Sequence, residues 1–79
     1  MAYGGNLSDL VSQIQFNESL IVLKTTPGAA MFVAGFIDHN LKDSIIGTVA
    51  GDDTIVCVPK STKKMKSHLK EVQNFIHES

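Results

Sequence analysis

Two neighbouring carboxylates, Asp52 and Asp53, form the sole adjacent acidic pair in this 79-residue sequence. They follow Gly51 between two apolar runs, and no Lys or Arg lies within six residues on either side to offset their charge. An uncompensated pair of this kind suits a cation rich in hydrogen-bond donors, a guanidinium or an ammonium. Aspartate also favours turns through its own backbone hydrogen bonds, and from composition alone turn chemistry is the simpler reading of the pair. Gly51 before it permits a positive φ or a close backbone approach. Asp38 is a second unusual acid: it falls near the end of a helix pattern, where the macrodipole disfavours negative charge, and is readable as a ligand or ion-pair partner or as a solvated helix end.

Other candidates carry less. Cys57 sits in the apolar run Val56-Cys57-Val58 and reads as core rather than nucleophile. Lys60, Lys63, Lys64, Lys66 and Lys70 read as a solvated basic face, and His39, His68 and His77 have no metal-site spacing. No phosphate-cradling glycine loop, nucleophile elbow or metalloprotease motif is present, so a catalytic site built from Asp38, Asp52 and His39 has no supporting pattern and the chain is not expected to be an enzyme. A formal net charge of −1 argues against a self-sufficient nucleic-acid binder. A single cysteine excludes a disulfide within the chain and fits a cytoplasmic setting, and no apolar run is long enough for a bilayer. No cofactor or metal is implied.

The elements that position these residues follow from periodicity. Leu7, Leu10, Val11 and Ile14 have the spacing of one helix face, which predicts a helix over residues 6–15 capped by Asn6. Residues 18–25 read as a strand. Thr26-Pro27-Gly28 is punctuation, with Thr26 suited to an N-cap and Pro27 to the first helical position. A second helix is expected over about 28–40, with Ala30, Val33, Ala34, Ile37 and Leu41 inward and Met31, Phe32 and Phe36 as a second flank. Strands at about 44–50 and 53–58 flank Gly51-Asp52, and a last helix over about 61–77 turns Met65, Leu69, Val72 and Ile76 inward. The fold class expected is α+β in two layers: a small antiparallel sheet with helices on one face, in the order α-β-α-β-β-α.

The strands carry a further implication. Leu20-Ile21-Val22-Leu23 and Ile55-Val56-Cys57-Val58 do not alternate apolar with polar residues, so both sheet faces want cover. Either the first helix crosses to the second face of a monomer, or subunits pack sheet against sheet. The second fits a chain too short to hold a large core alone.

Residues 20–38 (LIVLKTTPGAAMFVAGFID) and 46–55 (IGTVAGDDTI) resemble the C-terminal domain of bacterial arginine repressors. The most characteristic stretch is Gly47-Thr48-Val49-Ala50-Gly51-Asp52-Asp53-Thr54, and Lys24-Thr25 with Pro27-Gly28 and Ala30 matches a second one at the expected distance. The likeness covers nearly the whole chain from about residue 7. It implies a cytoplasmic transcription regulator of arginine metabolism genes, whose C-terminal domains form a homo-hexamer as a dimer of trimers with L-arginine at the trimer–trimer interface. Residues 6–79 would be the arginine-binding and oligomerisation domain and residues 1–5 a linker or expression remnant. DNA would be contacted only by a winged helix-turn-helix domain that this chain lacks. By position, Asp52 and Asp53 match the carboxylates that hold arginine, Asp38 the helix aspartate of the same pocket, and Thr48 and Ala50 the positions lining the amino-acid end of the ligand. Met31 departs from the pattern: Gln or Asn is typical there, whereas methionine offers only a weak acceptor. Two readings therefore stand, an arginine sensor and an assembly module whose arginine binding is weakened or lost.

Overall fold

A computed structural model describes residues 5–78. A short 3-10 turn, Leu7–Asp9, leads into strand β1 (Val11–Phe16) and then β2 (Ile21–Thr25). Helix α1 (Ala30–Asn40) crosses to β3 (Ile45–Ala50), β4 (Thr54–Pro59) returns as its hairpin partner, and α2 (Met65–Glu78) closes the fold after a 3-10 turn at Thr62–Lys64. The strands lie in the order β1-β2-β4-β3, every neighbouring pair antiparallel. The two runs without alternation, β2 and β4, are the two central strands.

The α+β class is as expected, but the first element is not a helix. Of residues 6–15 only Leu7–Asp9 is helical, as a single 3-10 turn, and from Val11 onward the segment is an edge strand, so the order is β-β-α-β-β-α. A bulge explains the misreading. Val11 opposes Thr25 and Ile14 opposes Leu23, with the register shifting between Val11 and Gln13. The extra residue puts Val11 and Ile14 on one face at a spacing of three, which imitates a helical period. The turn into β2 is held by Asn17, whose side-chain oxygen accepts from the amides of Ser19 and Leu20, both at 2.8 Å.

The start of α1 also differs. Ala29, not Thr26, is its N-cap residue, and Gly28 has φ +82°. Thr26-Pro27-Gly28-Ala29 forms a type II turn: proline supplies the second position, glycine the left-handed third, and the Ala29 amide donates to the Thr26 carbonyl at 3.1 Å.

Both helices cover the same sheet face. Ile21, Leu23, Ile55 and Cys57 from the sheet pack with Ala30, Val33, Ala34 and Ile37 of α1 and with Met65, Leu69, Val72 and Ile76 of α2. His68 is also buried, among the inward residues of α2. Leu7 joins this core, so the first segment stays on the covered face and does not cross to the second, the alternative a monomer would have needed. Strand alternation then turns Val22, Val56, Val49 and Val58 to the uncovered face. Val49 is 70% exposed and Val58 37%, against 0% for Ile55 and Cys57, which β4 turns to the covered face.

Candidate functional site

The acidic hairpin is fixed by its backbone. The Gly51 amide donates to the Thr54 carbonyl at 2.8 Å, and the Asp53 carbonyl accepts from Thr25 at 2.8 Å. The Asp52 carbonyl accepts from the amides of Gly28 and Ala30, at 3.0 and 3.3 Å. The type II turn and the first residue of α1 thus each aim one amide at the hairpin, tying its tip to the start of the helix. Gly51 has neither a positive φ nor a neighbour that an added Cβ would meet within 4 Å, contrary to the expectation from its type. The bond between the Gly51 amide and the Thr54 carbonyl closes the hairpin around Asp52 and Asp53, while the carbonyls of these two residues are taken by α1, the turn before it and β2.

The two carboxylates differ. Lys24, opposite Thr54 in the β2–β4 register, donates from Nζ to Thr54 Oγ1 at 2.8 Å. Thr54 Oγ1 in turn donates to Asp53 Oδ1 at 2.9 Å. Positive charge therefore reaches the hairpin through the sheet although none is near it in sequence. Sequence spacing missed Lys24, and only the strand register reveals it. Asp52 is exposed, and its carboxylate has no hydrogen bond among the described residues.

Asp38 lies near the end of α1 and is exposed. Thr48 Oγ1 lies 2.9 and 3.0 Å from its two carboxylate oxygens, within donating distance of either. That hydroxyl compensates an acid the helix dipole disfavours. Ala50, half-buried, stands on β3 between Thr48 and the hairpin. Asp38 lies eight steps along α1 from Ala30, about 12 Å of helix rise. The Asp38–Thr48 pair and the Asp52–Asp53 tip thus occupy the two ends of α1, joined by edge strand β3, rather than one compact acidic cluster. No group of three His, Cys, Asp or Glu that could hold a metal occurs among the described residues.

Met31 follows the hairpin anchor Ala30 in the first turn of α1, with 74% of its surface exposed. Phe32 and Phe36 stack edge to face on the same helix, their centroids 5.1 Å apart. Cys57 is wholly buried, and burial, reinforced by the charge of Asp38, pushes its thiol up to about 12. A thiol so held stays protonated and is no nucleophile.

Residues 7–74 match the family pattern described as "Arginine repressor, C-terminal domain". The chain belongs to the arginine repressor C-terminal domain family. Within that family it is similar to the arginine repressor of Chlamydia felis, 39% identical over 71 residues, which are 90% of this chain and 48% of that protein. The arginine repressor of Chlorobium phaeobacteroides is 46% identical over 63 residues (80% of this chain, 43% of that protein). That of Haemophilus influenzae is 43% identical over 70 residues (87% and 46%). The chain spans about half the length of the curated relatives it matches. Their name is that of a repressor, in keeping with a domain that carries no catalytic pattern. No helix among the described residues is long and apolar enough to cross a membrane.

Proposed function

We propose that this chain is the L-arginine-sensing and hexamerisation domain of a cytoplasmic, arginine-dependent transcriptional regulator of arginine metabolism genes. The supporting observation is the acidic hairpin, held by four backbone hydrogen bonds, with an exposed Asp52 carboxylate that has no partner among the described residues. Asp52 and Asp53 take the cationic groups of arginine, Asp38 and Thr48 with Ala50 line the same pocket when subunits meet, and Met31 flanks it. Subunit contact supplies what one chain lacks: a charge-assisted hydrogen bond contributes about 1.5–3 kcal/mol when shielded, and far less in open water. A ligand that binds only the assembled form stabilises it by RT ln(1 + [L]/Kd), about 2.7 kcal/mol per site at a hundred times Kd. DNA contact belongs to a winged helix-turn-helix domain, a module separate from residues 6–79.

Calorimetric titration with L-arginine, lysine and citrulline tests this, with sedimentation run alongside. Arginine is expected to bind and to favour the larger assembly. Citrulline keeps the shape and loses the charge, so equal binding by citrulline would refute the carboxylate mechanism. The exposed, apolar Met31 favours a second reading, an assembly module with weakened or lost arginine binding; it predicts a hexamer whose mass is indifferent to arginine.

A further inference from the structure

We propose that Lys24, acting through Thr54, is a positioning residue for the Asp53 carboxylate, so that Asp53 is a fixed charge and Asp52 the adaptable one. The inference rests on the arginine-sensing reading for its functional meaning, but its geometry stands apart from it. Lysine has three donors and no acceptor, so at 2.8 Å the Thr54 oxygen must accept from Lys24. A hydroxyl has a single proton, and with Lys24 on its lone pair that proton is directed to Asp53 Oδ1, 2.9 Å away. An ammonium on the oxygen side also polarises the hydroxyl, strengthening the bond it donates. One oxygen of Asp53 is thereby committed and the second left available to a ligand. Lys24 and Thr54 face one another across β2 and β4 on the uncovered side of the sheet, whereas the Asp52 carbonyl is anchored to the start of α1. The two acids are held from opposite sides of the hairpin.

The experiment compares Thr54→Val, Thr54→Ser and Lys24→Met with the unaltered chain, reading the Asp53 rotamer from three-bond NMR couplings and arginine affinity by calorimetry. The unaltered chain and Thr54→Ser are expected to show one Asp53 rotamer, and Thr54→Val and Lys24→Met an average of several. Arginine affinity should fall about fivefold or more in the last two. For Lys24→Met the fall runs against the loss of a like charge, which by itself would favour a cationic ligand. A purely structural role for Thr54 predicts the reverse order, because valine is the better strand residue and serine the poorer. An Asp53 rotamer unchanged in Thr54→Val overturns the proposal. Rotamers that behave as expected in a chain that binds no arginine leave the relay standing and sink the sensing reading instead.

Discussion

Asp52 and Asp53 share a loop and a charge, yet their surroundings assign them different work. Asp53 already has a partner, and Asp52 is exposed with none among the described residues. Losing a hydrogen bond to a charged group costs about 1.5–3 kcal/mol, so Asp52→Asn should weaken arginine binding by about ten- to a hundredfold in calorimetric titration. Its thermal midpoint should stay within a degree or two, since nothing in the fold depends on that carboxylate. A large loss of stability would show that Asp52 is structural. Cys57 gives a prediction of opposite character. Its native thiol ionises near 12, while in the unfolded chain it does so near the ordinary 9.0. Between those values the unfolded chain releases a proton that the native state retains. Stability from this group is complete below about pH 9 and falls as pH rises, by up to about 1.4 kcal/mol per pH unit. Denaturant titrations from pH 8 to 11 should show this slope, reduced in Cys57→Val, and a thiol reagent at pH 8 should label Cys57 only after unfolding.

Which elements were legible from sequence depended on whether their periods were intact. α2 keeps an unbroken helical stripe from Met65 to Ile76, and the central strands β2 and β4 are apolar on both faces, so their positions could be read directly. β1 could not, because its bulge converts a period of two into a spacing of three. The acidic hairpin was visible as a motif, but its partner Lys24 was not: strand register is a long-range property that local spacing does not contain. His68 was missed as a core residue for a related reason. It is buried, yet neither ring nitrogen has a partner among the described residues. A buried unpaired polar group costs about 1–3 kcal/mol, so His68→Leu should be more stable than the parent, with a midpoint several degrees higher. A lower midpoint would mean that the imidazole does have a partner. Gly28 predicts the opposite sign. Nothing lies within 4 Å of a Cβ placed there, so the cost of Gly28→Ala is conformational alone, about 1–3 kcal/mol from the positive φ. Because the Gly28 amide also holds the Asp52 carbonyl, this variant should loosen the hairpin, read as faster amide exchange at position 28 and at Ala30.

At the scale of the molecule, one sheet face is packed under two helices and the other is a valine surface. The core uses both helices and the Leu7 turn on the same side, leaving no element of the described chain to cover Val22, Val56, Val49 and Val58. Gln13 and Gln15 on β1 oppose Lys24 and Val22, so the uncovered face becomes polar toward β1 and stays apolar toward β3 and β4. Soluble proteins rarely leave a contiguous apolar surface open, and sheet-on-sheet packing would bury it. A contact centred on β3 and β4 should therefore break when charge is placed there. In Val49→Glu with Val58→Glu, like charges would have to meet or be buried without partners, an arrangement that costs more than the contact returns. Sedimentation velocity should show the doubly substituted chain as a smaller species than the parent, with an unchanged far-ultraviolet spectrum because both positions point away from the core. Gln15→Glu, on the polar margin, should leave the mass as it was. If the double variant instead sediments like the parent, subunits associate through another surface, and the exposed Met31, Phe32 flank of α1 becomes the face to charge next.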